Sequence, residues 1–268
     1  MGFNLLEKIL MYFKRFIVNK FSGRFYALTM NLMSGSNISY KYRDGKYFVS
    51  QGLQRHYFLK QRGGRYFNGL VACGEKLAFS YGIEDIVIKE FDLIVDVGAN
   101  NGDLLLFLEK FPNSRYIGFE PSVAEFELLE MNSQKKNAHN LVVSDSNGVV
   151  PFFTSTFGAD SSIYQPVIVE GSTLVKSIRL DEWFDQSSKI KILKIDAEGA
   201  EYEVIKGAEK IFHLIEYIAV DLGFEKGINQ ETTAPQVINL LMANNFDILK
   251  FTKRNCFLFQ NKNVYEKQ

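Results

Sequence analysis

The sequence predicts an α/β protein with a doubly wound, mostly parallel sheet that ends in an antiparallel hairpin. Three observations lead there. From residue 91 onward, short apolar runs alternate with helical patterns, as in a parallel sheet covered by helices on both faces. A glycine-bearing turn, Asp96 to Gly102, joins the first of these runs to a helix. The last two strand-like runs, FDILKF and NCFLFQ, are linked by only a few residues (Thr252 to Asn255), too short for a parallel crossover.

The elements follow in order. Residues 3–21 place Leu5, Leu6, Ile9, Leu10, Phe13, Phe16, Ile17 and Phe21 on one helical face, with Lys8, Lys14, Arg15 and Lys20 between them. Such a basic amphipathic helix suits either packing on a neighbouring domain or peripheral contact with an anionic membrane. Residues 38–67 bracket an Asp44-Gly45 turn with aromatic and β-branched residues, a hairpin signal. Basic residues thread this segment, so three readings compete: a solvated strand face, a site for an anionic sugar phosphate, or single-stranded nucleic acid stacked on the rings.

FDLIVDV (91–97) is an apolar run fit for a buried parallel strand, and LLLFLEKF after the glycine turn is a helix ended before Pro112. RYIGFE (115–120) is a second strand, followed by a helix from Ser122 to about residue 135. NLVVSD (140–145) reads as the third strand, GVVPFFTS and TLVKSIR as further extended pieces around a polar loop, and KILKIDA (190–196) as a fourth buried strand. A helix from about Ala200 to Phe212, the strand YIAVDL and a helix near 232–244 precede the hairpin.

Composition narrows the function classes. The chain has 268 residues, 46 % apolar and 23 % charged, the profile of a folded globular protein rather than a disordered one. Its 31 basic and 31 acidic residues cancel, which argues against a nucleic-acid partner. The cancellation is uneven, however: residues 1–66 hold 12 basic against two acidic residues, and residues 67–268 hold 19 against 29. A basic accessory segment (1–66) and an acidic main domain (67–268) are the expected division. Cys73 and Cys256 form no disulfide framework, which points to a reducing, cytoplasmic setting. No secretory signal peptide is expected, because Glu7 and Lys8 interrupt the first apolar stretch.

Ligands of open parallel sheets bind beyond the carboxyl ends of the strands. Here those ends carry Asp96 with Gly98, Asn100 and Gly102, then Glu120, Asp145, and Asp196 with Glu198. Helix capping explains one such carboxylate easily and four poorly. Gly98 lets a ligand approach the backbone, and Gly102 allows tight entry into the helix, whose first N–H groups favour an anion such as a carboxylate. Asp96 suits an ammonium, Glu120 the two hydroxyls of a ribose, and Asp145 the exocyclic amine of adenine. Together they describe S-adenosylmethionine. An NAD-dependent dehydrogenase also fits Glu120, but GxGxxG is missing. A non-catalytic binding module is the third reading.

DLIVDVGANNG, YIGFEPS, GADSSI, SIRLDEW and above all LKIDAEGAEYEVIKGA resemble the FkbM family of S-adenosylmethionine-dependent methyltransferases, over about residues 91–222. The resemblance implies a class I methyltransferase (Rossmann-like) fold. It also implies methyl transfer to oxygen on sugars of glycans or on natural-product hydroxyls. By it, Asp96, Gly98 and Gly102 match the glycine loop, Glu120 the ribose acid, and Asp196, Glu198 and Glu201 the KIDAEGAE motif. Asp196 is the first candidate for the base that takes the acceptor's proton, Glu198 the second and Lys194 a distant third. A Mg²⁺ held by Asp196, Glu198 and Asp221 is a weaker signal, and no metal is expected. The expected acceptor is a small molecule or glycan, and the basic segment makes an anionic one plausible.

Overall fold

The computed structural model describes residues 20–35, 37–134, 137–155 and 161–265, and it forms two compact units, 1–73 and 74–268. The expected helix over 3–21 lies almost wholly outside the described residues. Among those described, no helix is long and apolar enough to cross a membrane.

In the N-terminal unit, helix α1 (Gly23–Met33) precedes a three-stranded antiparallel meander of β1 (Ser39–Arg43), β2 (Lys46–Gln51) and β3 (Gln54–Phe58), then a 3-10 helix (Lys60–Tyr66). Asp44 and Gly45, at φ 52° and 77°, make the two-residue turn that the Asp-Gly pair announced. Strand alternation sends Tyr40, Val49, His56 and Phe58 to one face, where they are buried with Tyr26, Met30 and Tyr66. The Tyr26 hydroxyl donates to the Lys60 carbonyl (2.7 Å), and that of Tyr40 to Gly63 (2.9 Å). Half of the Tyr and Phe rings in this segment, those of Tyr40, Phe48, Phe58 and Tyr66, are therefore buried.

Helix α2 (Leu70–Tyr81) leads into the second unit. Its central sheet combines β4 (Leu93–Val97), β5 (Arg115–Phe119), β6 (Ala138–His139), β10 (Ile190–Ile195), β11 (Ile215–Asp221), β14 (Phe246–Phe251) and β15 (Cys256–Asn261), in the order β14-β15-β11-β10-β4-β5-β6. Strands β11, β10, β4, β5 and β6 run parallel, while β15 is inserted antiparallel between β11 and β14. This is the doubly wound sheet with a terminal hairpin that the sequence predicts, in the class I methyltransferase order.

Period-two alternation divides the sheet chemically. Leu93, Val95, Val97, Leu193, Ile195, Ile218 and Val220 face a core completed by α5 (Leu180–Trp183), α6 (Glu201–Lys206) and α7 (Ala234–Ala243). Each of these side chains contributes about 1.5–3 kcal/mol by leaving water. Ile94, Ile192, Ala219 and Leu258 face the other core, with α2, α3 (Leu104–Leu108) and Leu129 of α4 (Val123–Asn132). Two helix starts carry local signals: the Ser122 hydroxyl donates to the Glu125 side chain in the first turn of α4, and Pro235 sits in the first turn of α7.

One strand differs from the sequence reading. The third central strand is Ala138–His139, not NLVVSD. The Asn140 side chain donates to the carbonyls of Glu120 and Pro121 (both 2.9 Å), turning the chain across the end of β5. Val142–Val143 (β7) then joins an outer sheet with β8 (Gly148–Thr154) and β9 (Gly171–Ile178), where Val142 packs on Phe152 and Val175. Two short strands, β12 (Phe224–Lys226) and β13 (Glu231–Thr232), pair beyond the end of β11.

Candidate active site

The same alternation that builds the second core leaves a charged row where three adjacent strands end. Asp96 on β4 pairs in register with Lys194 on β10, which pairs with Ala219 two residues before Asp221 on β11. All lie on one face, and all three side chains are almost fully buried.

Lys194 is the hub. Its Nζ lies 2.9 Å from Asp96 Oδ1, donates to the Gly98 carbonyl at 2.9 Å, and lies 3.9 Å from Asp196 Oδ2. Burial works against its charge, but Asp96 and Asp196 outweigh it and hold the ammonium above its ordinary pKa. Lys194 is therefore a fixed cation and not a base. The second oxygen of Asp96 accepts from the Tyr116 hydroxyl (2.9 Å), for which the absent side chain of Gly118 leaves room. At 1 % exposure, ion-paired to Lys194 and bonded by Tyr116, Asp96 lies at the base of the glycine loop, where the sequence reading has it meet the cofactor's ammonium.

The loop depends on its glycine. Gly98, at φ 69°, lies so close to the Asp196 backbone that a Cβ would overlap that carbonyl oxygen. Asn100 (φ 53°) and Gly102 (φ 83°) are also left-handed, so the turn coils tightly before α3. Glu120 closes it, accepting from the Asn100 N–H (2.7 Å) and the Ser122 N–H (2.9 Å). Gly98→Ala is expected to cost about 1–3 kcal/mol of strain and to displace the loop from Asp196. Thermal denaturation together with an S-adenosylhomocysteine titration would show both losses; unchanged binding would mean that the loop is not the cofactor's cradle.

Asp196 is more open, its side chain 24 % exposed, and accepts a hydrogen bond from Tyr81 at 2.6 Å. Tyr81 is wholly buried, and burial and the adjacent Asp196 hold its hydroxyl well above the usual phenol range, so it stays a donor. Asp196, Glu198 and Glu225 each bring an oxygen within 4.8 Å of the others. Burial, then the charges of Asp196, Asp221 and Glu201, push Glu225 up to about 8. Such a cluster suits a positively charged ligand centre or a hard cation. Asp221 is not part of it: its carboxylate accepts from Arg254 (3.1 Å) and from the Gly223 N–H.

Glu201 is structural. It accepts from the Ala197 and Gly199 N–H groups and from Thr233, fixing the turn that carries Asp196 and Glu198. Burial pushes its carboxyl from 4.5 up to about 7. The folded chain thus keeps a proton that the unfolded chain releases between those values, so stability falls as pH rises through that window, by about 3 kcal/mol. Glu201→Gln is expected to flatten that slope, read from urea midpoints at pH 5 and pH 8; an unchanged slope would contradict it.

Asp145 is not brought into this site. Because β7 leaves the central sheet, Asp145 is exposed on the outer sheet, and its carbonyl accepts from Arg179 beside the end of α6. Structure thus joins Gly98, Asn100, Gly102, Glu120, Asp196 and Glu198 with Lys194, the third base candidate, and adds Tyr81, Tyr116 and Glu225. None of these three additions carried a local signal in the sequence.

A methyltransferase FkbM domain model matches residues 96–248, more than half of the chain and every residue of this constellation except Tyr81. The chain belongs to the FkbM methyltransferase family. It is 29 % identical over 140 residues to the hexuronic acid methyltransferase AglP of Haloferax volcanii, a match that spans 50 % of this chain and 57 % of that protein. It is 28 % identical over 197 residues to methyltransferase sdnD of Sordaria araneosa, covering 59 % of this chain and 74 % of sdnD. Among solved structures, a SAM-dependent methyltransferase from Aquifex aeolicus aligns at 13 % identity and TM-score 0.40, covering 69 % of this chain and 87 % of that one. In this chain the KIDAEGAE string occupies the turn that presents Asp196 and Glu198.

Proposed function

We propose that this FkbM methyltransferase transfers a methyl group from S-adenosylmethionine to a hydroxyl oxygen of an acidic sugar. The partly open carboxylate of Asp196, held by Tyr81 beside the glycine loop, is the observation that carries this reading. The residues fit the cofactor: a coiled glycine turn with an approachable backbone, a strand-end carboxylate on Glu120, and three carboxylates gathered at Asp196. S-adenosylmethionine, when bound, supplies an electrophilic methyl group on a sulfonium that is already a good leaving group.

The chain's own residues do the rest. Glu120 keeps lone pairs for the ribose hydroxyls after accepting its two N–H groups. Asn100 and Gly102 shape the backbone that meets the amino-acid end. The negative charge of Asp196 and Glu198 favours the sulfonium side of the site. Asp196 receives the acceptor's proton, late, because a carboxylate is a weak base towards an alcohol. Alignment of acceptor and methyl supplies up to about 7–11 kcal/mol. An acidic acceptor accords with the basic 1–66 segment and with AglP, a hexuronic acid methyltransferase.

The test is transfer from methyl-labelled S-adenosylmethionine to matched neutral and uronic-acid glycans, with products assigned by NMR. An O-methyl product on the acidic glycan, formed equally with EDTA, is expected. N-methyl or C-methyl products would overturn the reading, and loss of transfer with EDTA would assign Asp196, Glu198 and Glu225 to a cation.

A further inference from the structure

We propose that the N-terminal unit binds an acidic oligosaccharide in a groove between α1 and the edge strand β1. Its volume of about 690 Å³ is that of a small-ligand site. One wall is a single face of α1, where Arg24, Ala27, Leu28 and Asn31 recur at helical spacing. The other is β1 from Tyr40 to Arg43, with Arg55 of β3 lying over the Phe48 ring, 5.8 Å from its centre.

The charge of the groove is one-sided. Arg24, Lys41, Arg43 and Arg55 line it against one acid, Asp44, which pairs with Arg43 at the surface (3.4 Å). Among the described residues, Arg24, Lys41 and Arg55 have no carboxylate partner. Cations gathered without counter-charge repel one another, and a multiply anionic ligand relieves that repulsion. Two of the three carry planar guanidinium forks suited to carboxylates.

Shape selects a sugar chain over a nucleic acid. Stacking of bases needs open ring faces. Tyr40 is buried, Phe48 is 6 % exposed beneath Arg55, and Tyr42 packs on Tyr47 with centroids 4.7 Å apart. Hydrogen-bonding groups are present instead. Asn31 exchanges bonds with both the N–H and the C=O of Tyr40 (2.6 and 2.9 Å), marking the outward peptide edge of β1. Alternation puts the peptide groups of Tyr42 on that same edge, as donor and acceptor for sugar hydroxyls. This inference rests on the methyl-transfer reading only in taking the bound chain to be the acceptor.

The test is calorimetric titration of the full chain with tetragalacturonate, maltotetraose and oligothymidylate, and separately with S-adenosylhomocysteine. Tetragalacturonate is expected to bind at least about tenfold more tightly than the other two oligomers, as charge-assisted hydrogen bonding requires. The triple variant Arg24→Gln/Lys41→Gln/Arg55→Gln should lose about tenfold or more of that affinity while binding S-adenosylhomocysteine as the wild type does, which also shows that it folds. The charge-matched Lys89→Gln/Lys176→Gln/Lys189→Gln should keep both affinities. Equal tetragalacturonate affinity in the groove variant, an equal loss in the charge-matched one, or preference for oligothymidylate would overturn the proposal. Failure of the wild type to bind S-adenosylhomocysteine would contradict the methyl-transfer reading and not the groove.

Discussion

Asp196→Asn is expected to lower kcat by about 10²–10⁴-fold, the usual weight of a general base, while S-adenosylhomocysteine binds within a few-fold of wild type. Asn keeps the size of the side chain and can still accept from Tyr81 through its carbonyl oxygen. What it loses is the basic carboxylate. The charge lost also sits beside Glu225, whose pKa is raised by burial and then by Asp196, so that pKa should fall in the variant. Steady-state kinetics and a binding titration separate the two effects. Wild-type turnover in a folded Asp196→Asn protein would remove Asp196 as the base and leave Glu198 next.

Lys194→Met is expected to be the most destabilising single change at the site. Lys194 and Asp96 have side-chain exposures of 6 % and 1 %, and removing one member of such a pair leaves the other charge buried alone. That costs about 3–5 kcal/mol. The Gly98 carbonyl loses its donor as well, so the glycine loop should loosen. Adding Asp96→Asn to Lys194→Met removes the stranded charge and should recover part of the loss. Urea denaturation of the two variants decides it; a Lys194→Met loss below about 1 kcal/mol, the scale of an exposed ion pair, would show that the pair is not truly shielded.

What the sequence discloses here is local. The runs FDLIVDV and KILKIDA and the turn at Asp44-Gly45 are read correctly because apolar spacing and left-handed positions are fixed by adjacent residues. The strand-end positions of Glu120 and Asp196 follow from the same runs. Contacts across the sheet are not local. Tyr81 reaches Asp196 from 115 residues away, and the Lys194–Asp96 pair exists because β10 lies beside β4. Asp145 falls elsewhere because VVSD carries a strand signal whichever sheet it joins, and the non-local pairing of β7 with β9 takes it out of the central one. The aromatic residues of 38–67 gave no sign of which face they occupy until α1 was seen packed on one of them.

The central claim is that the carboxyl ends of β4, β5 and β10 form the S-adenosylmethionine site of this FkbM methyltransferase. Calorimetric titration of the wild-type chain with S-adenosylhomocysteine and with NAD tests it most directly, with Glu120→Ala beside it. The account predicts saturable S-adenosylhomocysteine binding, no NAD binding, and a weakening of about tenfold or more in Glu120→Ala, the worth of one or two lost charge-assisted hydrogen bonds. Binding of NAD in place of S-adenosylhomocysteine, or S-adenosylhomocysteine binding indifferent to Glu120, would contradict it.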